Sequence, residues 1–303
     1  MMNKIIIGGL VILLIVVGYL FYTSSSRTQN TPGQEPTAST SEQGGVQATS
    51  TVAEDTGVTT IGQSVEGRDI RAYHYGTGGT EILFIGDIQG GYSWNTALLA
   101  YKAMDYLQAN PDRVPPNITV TVIPVLNPDG LNKVVGTTTP HFTQAQVAVT
   151  QAAQVAGRFN AHNVDLNRNF DCDWQASAQW QGMTVSGGAG AFSEPESKAI
   201  QQYIASNKPK AVVAWYASAG GVFASSCHNG VSVETRALTD LYAKAAGYKA
   251  YESYNVDEIP GDMVNWLAKQ GIPAISVLLT NHTDIEWTKN QAGIDAVMAH
   301  YAE

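Results

Sequence analysis

Two runs of β-branched and apolar residues, EILFIGDI (81–88) and ITVTVIPVLN (118–127), bracket an amphipathic stretch, WNTALLAYKAMDYLQ (94–108). This strand–helix–strand rhythm restricts the fold more than any other feature. A strand buried on both faces carries a nearly continuous apolar run, whereas a helix packed on it repeats its apolar residues three and four apart. In the middle stretch those residues are Leu98, Leu99, Ala103, Tyr106 and Leu107. Two further runs, AVVAWYAS (211–218) and PAISVLLT (273–280), have the same strand character. The pattern predicts an α/β domain whose sheet is covered by helices on both faces. More helices are written at FSEPESKAIQQYIASN (192–207), with Ser193 as N-cap and Glu196 as its capping-box partner, and at SVETRALTDLYAKAAG (232–247), closed by Gly247. GDMVNWLAKQG (261–271) and IDAVMAHYA (294–302) complete the set.

The sequence before this domain has a different character. After four residues, of which Lys4 is basic, residues 5–22 form an uncharged apolar run, at the ~18-residue threshold for spanning a bilayer. It is read as a transmembrane signal-anchor that leaves residues 1–4 in the cytoplasm and the domain outside, by the positive-inside bias. Cleavage of this segment and secretion is the alternative. Residues 23–56 are rich in Ser, Thr, Gln, Gly and Pro, a composition that cannot bury enough surface to order itself, so they read as a disordered linker. The folded domain is then 57–303. With 17 Lys and Arg against 26 Asp and Glu, the net charge of -9 argues against binding nucleic acid through its phosphates. The two cysteines, Cys172 and Cys227, both fall in the exported domain, where a disulfide between them is favoured over two buried thiols.

Several segments, in order, resemble the zinc carboxypeptidase family, the carboxypeptidase A/B-like metallopeptidases: IGQSVEGRDIRAYHYG (61–76), GDIQGGYSWNT (86–96), VIPVLNPDGL (122–131), NVDLNRNFD (163–171), GAFSEPESKAI (190–200) and GIPAISVLLTNHTDIEW (271–287). The resemblance implies a mixed central sheet between helices. It also implies a zinc ion held by a His-x-x-Glu pair and a second histidine, with a glutamate as general base.

Carried over position by position, the first histidine falls on Gln89 and the ligand glutamate on Tyr92, or on Ser93 with one inserted residue. The second histidine falls on Tyr216 and the general base on Leu278. An amide, a phenol and a leucine cannot do the work of imidazole and carboxylate, so no metal cofactor is expected. The anion-binding positions keep their chemistry: Asn167 and Arg168 match the grip on a peptide's terminal carboxylate, and Arg158 matches a carbonyl-polarising arginine. Val264 falls at the base of the specificity pocket. Elsewhere, His282 with Glu286 and His162 with Asp165 have spacings that read as capping or surface pairs rather than a relocated metal site.

The expected function is that of a membrane-anchored, extracytoplasmic, catalytically inactive pseudopeptidase. Its partner would be a peptide, or a cell-wall peptide, with a free C-terminus. The alternatives are an active metallocarboxypeptidase with displaced zinc ligands and a structural surface domain. Arg168 could also persist only as the partner of Asp165 or Asp171.

Overall fold

The computed structural model describes residues 57–254 and 259–303. The anchor and linker expected at 5–22 and 23–56 lie outside the described residues. Among the described residues, no helix is long and apolar enough to cross a membrane.

Eight strands form one mixed sheet in the order β1-β2-β4-β3-β7-β10-β8-β9. The strands are β1 (Val58–Gln63), β2 (Asp69–Tyr75), β3 (Thr80–Ile85), β4 (Ile118–Ile123), β7 (Ala211–Ala217), β8 (Gly221–Ala224), β9 (Lys249–Tyr251) and β10 (Ala274–Leu279). The four runs read from sequence are β4, β3, β7 and β10, which lie side by side and parallel at the centre. Antiparallel pairing of β1 with β2, β2 with β4 and β10 with β8 makes the sheet mixed. A separate hairpin joins β5 (Ser177–Trp180) to β6 (Met183–Ser186).

Side chains alternate across the central strands, and the two faces bury separate cores. Phe84, Val213, Trp215, Val277 and Leu279 point to the face covered by α1 (Trp94–Ala109), α5 (Val233–Ala246) and α7 (Trp287–Tyr301). Ile85, Ala214, Tyr216 and Leu278 point to the other, covered by α4 (Pro195–Asn207) and α6 (Met263–Lys269). Short helices α2 (Pro128–Val135) and α3 (Gln151–Ala156) complete the α-helices of the described residues.

Two helix ends show how local sequence sets the boundaries. Gly247 closes α5 in the left-handed conformation at φ 69°, as expected. The capping box expected at the start of α4 does not form. The N-cap is Glu194 without a side-chain cap, and the helix begins at Pro195. Ser193 Oγ donates instead to Glu194 Oε1, and Glu196 accepts from Val65 N and Asn160 Nδ2, because tertiary partners outcompete the local motif.

Candidate functional site

A cleft of about 1050 Å³ opens at the carboxyl ends of β3, β7 and β10, where open α/β sheets place their ligands. Gln89, Tyr92, Arg158, Asn167, Arg168, Tyr216, Val264 and Leu278 all line it. Tyr216 and Leu278 are direct partners in the β7–β10 ladder. Of the two candidates for the ligand glutamate position, Tyr92 faces the cleft, while Ser93 is buried within hydrogen-bond distance of the Gln89 amide. The glycine-rich turn after β3 is explained by close packing: a Cβ on Gly90 would meet the Gly157 carbonyl oxygen at 2.3 Å. That contact sets Gln89 beside the residue that follows Gly157, which is Arg158.

Asp165 organises the charge. It precedes the 3-10 turn Leu166–Arg168, and its Oδ1 accepts from Asn167 N at 3.2 Å. Its Oδ2 accepts from Arg158 Nε at 3.0 Å and Nη2 at 2.9 Å, and from Arg168 Nη1 at 2.9 Å. All three side chains are almost completely buried. Arg168 Nη2 also donates to the Gln179 carbonyl at 3.3 Å. With the Gln89 amide oriented to satisfy its neighbours, its oxygen accepts from Arg158 Nη1 at 2.9 Å and Nη2 at 3.1 Å, and its nitrogen donates to Ser93 Oγ. The Arg158 guanidinium lies 4.3 Å from the centroid of the Trp180 ring and 5.6 Å from that of Tyr92.

Asn167 is held just as firmly. Its Nδ2 donates to Asp262 Oδ2 at 2.9 Å, and its Oδ1 accepts from the Tyr216 hydroxyl at 3.1 Å. Asp262 caps α6 by accepting from Asn265 N at 2.9 Å. Burial raises the Asp262 carboxyl above its ordinary range, against the opposing hydrogen bonds and the Arg168 charge. Burial also pushes the Tyr216 phenol well above its usual value, so it stays a neutral donor. The glycine before Asp262 is required: Gly261 has φ 74°, and a Cβ there would meet the Arg168 carbonyl oxygen at 2.3 Å.

Some lining residues escape the sequence reading. His282 faces the cleft, its ring 4.5 Å from that of Tyr92, and its Nδ1 is buried without a hydrogen-bond partner. Burial holds its imidazole below the usual pKa, helped by the Arg158 charge. Its spacing partner Glu286 is engaged elsewhere, with Thr280, Tyr248 and Lys289. His162 pairs with Glu194 at 2.7 Å rather than with Asp165. Trp180 arrives on the β5–β6 hairpin, whose turn residues Gln181 and Gly182 both have positive φ. That left-handed two-residue turn with glycine is the signal that could have found it. Cys172 and Cys227 are joined by a disulfide with Cα atoms 6.1 Å apart, and the neighbouring Asp173 and Ser226 line the cleft.

A family model described as Peptidase_M14, zinc carboxypeptidase, matches residues 47–294. The chain belongs to the zinc carboxypeptidase family. Among curated relatives, carboxypeptidase Z of Rattus norvegicus is 26% identical over 187 residues, covering 56% of this chain and 26% of the relative. The human carboxypeptidase Z is 25% identical over the same length and with the same coverage. The match thus spans about a quarter of the length of these relatives. Among solved structures, a carboxypeptidase A from Helicoverpa armigera superposes with a TM-score of 0.60 at 21% identity, covering 81% of this chain and 66% of that one. Bovine thrombin-activatable fibrinolysis inhibitor, solved with a tick carboxypeptidase inhibitor, gives 0.63 at 16% identity, covering 80% and 89%. The murein-tripeptide amidase MpaA from Escherichia coli O157 gives 0.53 at 18%, covering 81% and 91%. These likenesses establish the zinc carboxypeptidase fold.

The metal that gives the family its name does not fit the side chains at the positions that resemble its ligands. Zinc takes imidazole, thiolate or carboxylate donors. Gln89, Tyr92 and Tyr216 offer an amide and two phenols, and the Gln89 oxygen already accepts from a guanidinium. Among the described residues, the one group of three His, Cys, Asp or Glu side chains near a common point is Cys172, Asp173 and Cys227, whose sulfurs are bonded to each other.

Proposed function

We propose that this chain is a non-hydrolytic member of the zinc carboxypeptidase family, a domain that holds peptide chain ends in its cleft without cutting them. The carrying observation is the lining of that cleft: an amide, two phenols and a leucine at the positions that resemble the family's metal ligands and general base. Leu278 has no lone pair to take a proton from water, and the raised Tyr216 phenol cannot serve as an anion at neutral pH.

Peptide binding is supported by the groups that remain. Arg168 reaches the cleft and spends Nη2 on a neutral carbonyl at 3.3 Å, a contact that a ligand carboxylate would displace through a shorter, charge-assisted bond. Val264 offers an apolar wall for a side chain. The solved neighbours include a murein-tripeptide amidase and a protein bound to a carboxypeptidase inhibitor, which makes peptides, including cell-wall peptides, the ligand class to try first. The apolar run at 5–22 supports a place at the outer face of a membrane, with the domain carried on the 23–56 linker.

Titration with peptides that differ only in a free or amidated C-terminus tests the binding reading. The free acid is expected to bind at least ~10-fold tighter, equal to about 1.4 kcal/mol. Arg168→Gln is expected to erase the difference. Equal binding of both peptides, or release of a C-terminal residue detected by mass spectrometry, contradicts it.

A further inference from the structure

The Arg158 guanidinium is placed less like a ligand-facing group than like an internal ion. Its side chain is 2% exposed. Nε and Nη2 point to Asp165 Oδ2, and Nη1 and Nη2 point to the Gln89 oxygen, which accounts for four of the five N–H groups a guanidinium carries. Trp180 covers it at 4.3 Å, with Tyr92 at 5.6 Å. These partners come from the turn after β3, the segment before the 3-10 turn, and the β5–β6 hairpin. Joining chain segments distant in sequence around one positive centre is what a structural metal does in other folds.

We propose that Arg158 is the resident cation of this cleft, an internal guanidinium around which Gln89, Tyr92, Asp165 and Trp180 are organised, so that these segments are held together without a metal. The proposal rests on the non-hydrolytic reading above and deepens it. Two features make Gln89 a poor metal ligand while Arg158 is in place. The Gln89 oxygen is already an acceptor for Arg158, and a divalent ion beside it would sit a few ångströms from a fixed positive charge. The pairing also gives Gln89 a reason to be there: an amide oxygen suits a guanidinium, whereas protonated imidazole would repel it. Arg158 therefore acts as a positioning residue rather than as a donor to a ligand carbonyl.

The experiment follows thermal unfolding of the full chain. Wild-type Tm is expected to be unchanged by chelator and by added zinc. Arg158→Ala is expected to lower Tm by at least about 6 °C. Added methylguanidinium should restore much of that loss where methylammonium does not, because only the planar fork can serve Asp165 and Gln89 together. Arg158→Lys should recover less than half. Should Arg158→Ala fail to fold, the pair Gln89→Leu and Arg158→Lys decides. Gln89→Leu is expected to lower Tm with Arg158 present and to add almost nothing in the Arg158→Lys background. One zinc per wild-type chain, with Tm falling on chelation, overturns both this proposal and the non-hydrolytic reading. A zinc-free wild type with additive losses in the double variant, or with no response of Arg158→Ala to methylguanidinium, overturns this proposal alone.

Discussion

The Tyr216 hydroxyl donates to Asn167 Oδ1 at 3.1 Å, tying the end of the central strand β7 to the turn that carries Arg168. Tyr216 stands at a position resembling a metal ligand, and Asn167 at one resembling a carboxylate grip, so one hydrogen bond joins the two halves of the cleft. Tyr216→Phe removes the donor and leaves Asn167 Oδ1 only the long contact from Met263 N at 3.4 Å. The expected cost is ~1 kcal/mol by urea unfolding, with little change in secondary structure.

Asp165 is the more sensitive residue. Its Oδ2 serves Arg158 and Arg168 at once, and all three groups are buried. Asp165→Asn keeps the shape and removes the carboxylate that the two buried guanidinia share. A loss of about 3–5 kcal/mol, or failure to fold, is expected. A change below ~1 kcal/mol would mean that the pair is not held as described.

Asp87 makes one contribution to how stability depends on pH. It is fully buried, neither carboxylate oxygen has a hydrogen-bond partner, and burial raises its pKa well above the ordinary 3.8. A carboxyl with a raised folded pKa contributes its stability below the unfolded value and loses it as pH climbs through the folded one. Asp87→Asn should therefore raise Tm at neutral pH, increasingly as pH rises above about 4, and change little below it. Asparagine also tolerates the φ of 57° at this position. Thermal scans across pH check the trend; a variant less stable at pH 7 than at pH 4 relative to wild type would contradict it.

The disulfide closes a segment of 55 residues that contains the β5–β6 hairpin and the strand β7. Replacing Cys172 and Cys227 by serine should cost ~4 kcal/mol by the loop-entropy relation. Unfolding in urea with and without reductant measures it, and the double variant should not respond to reductant.

What could be read from sequence follows burial. The central strands β4, β3, β7 and β10 are buried almost throughout, so their apolar runs are continuous and visible. The strands at the margins are not. β1 is largely exposed or half-buried, β9 is short, and β2 alternates, so each resembles a loop until its neighbour supplies hydrogen bonds. At the site, DLNRNF and the turn at Gln89 were legible because their motifs resemble a known family. Trp180 and Asp262 were not, because their roles depend on Arg158 and Asn167, which lie 22 and 95 residues away along the chain. Spacing pairs His282 with Glu286, but the backbone turns the imidazole towards Tyr92 and the carboxylate towards Thr280.

Metal content of the chain, purified without chelator and then offered equimolar zinc, tests the central claim most directly. Far less than one equivalent retained after desalting, with no peptidase activity before or after, is the expected result. One tightly held equivalent, removed by chelator together with C-terminal peptidase activity, would contradict it.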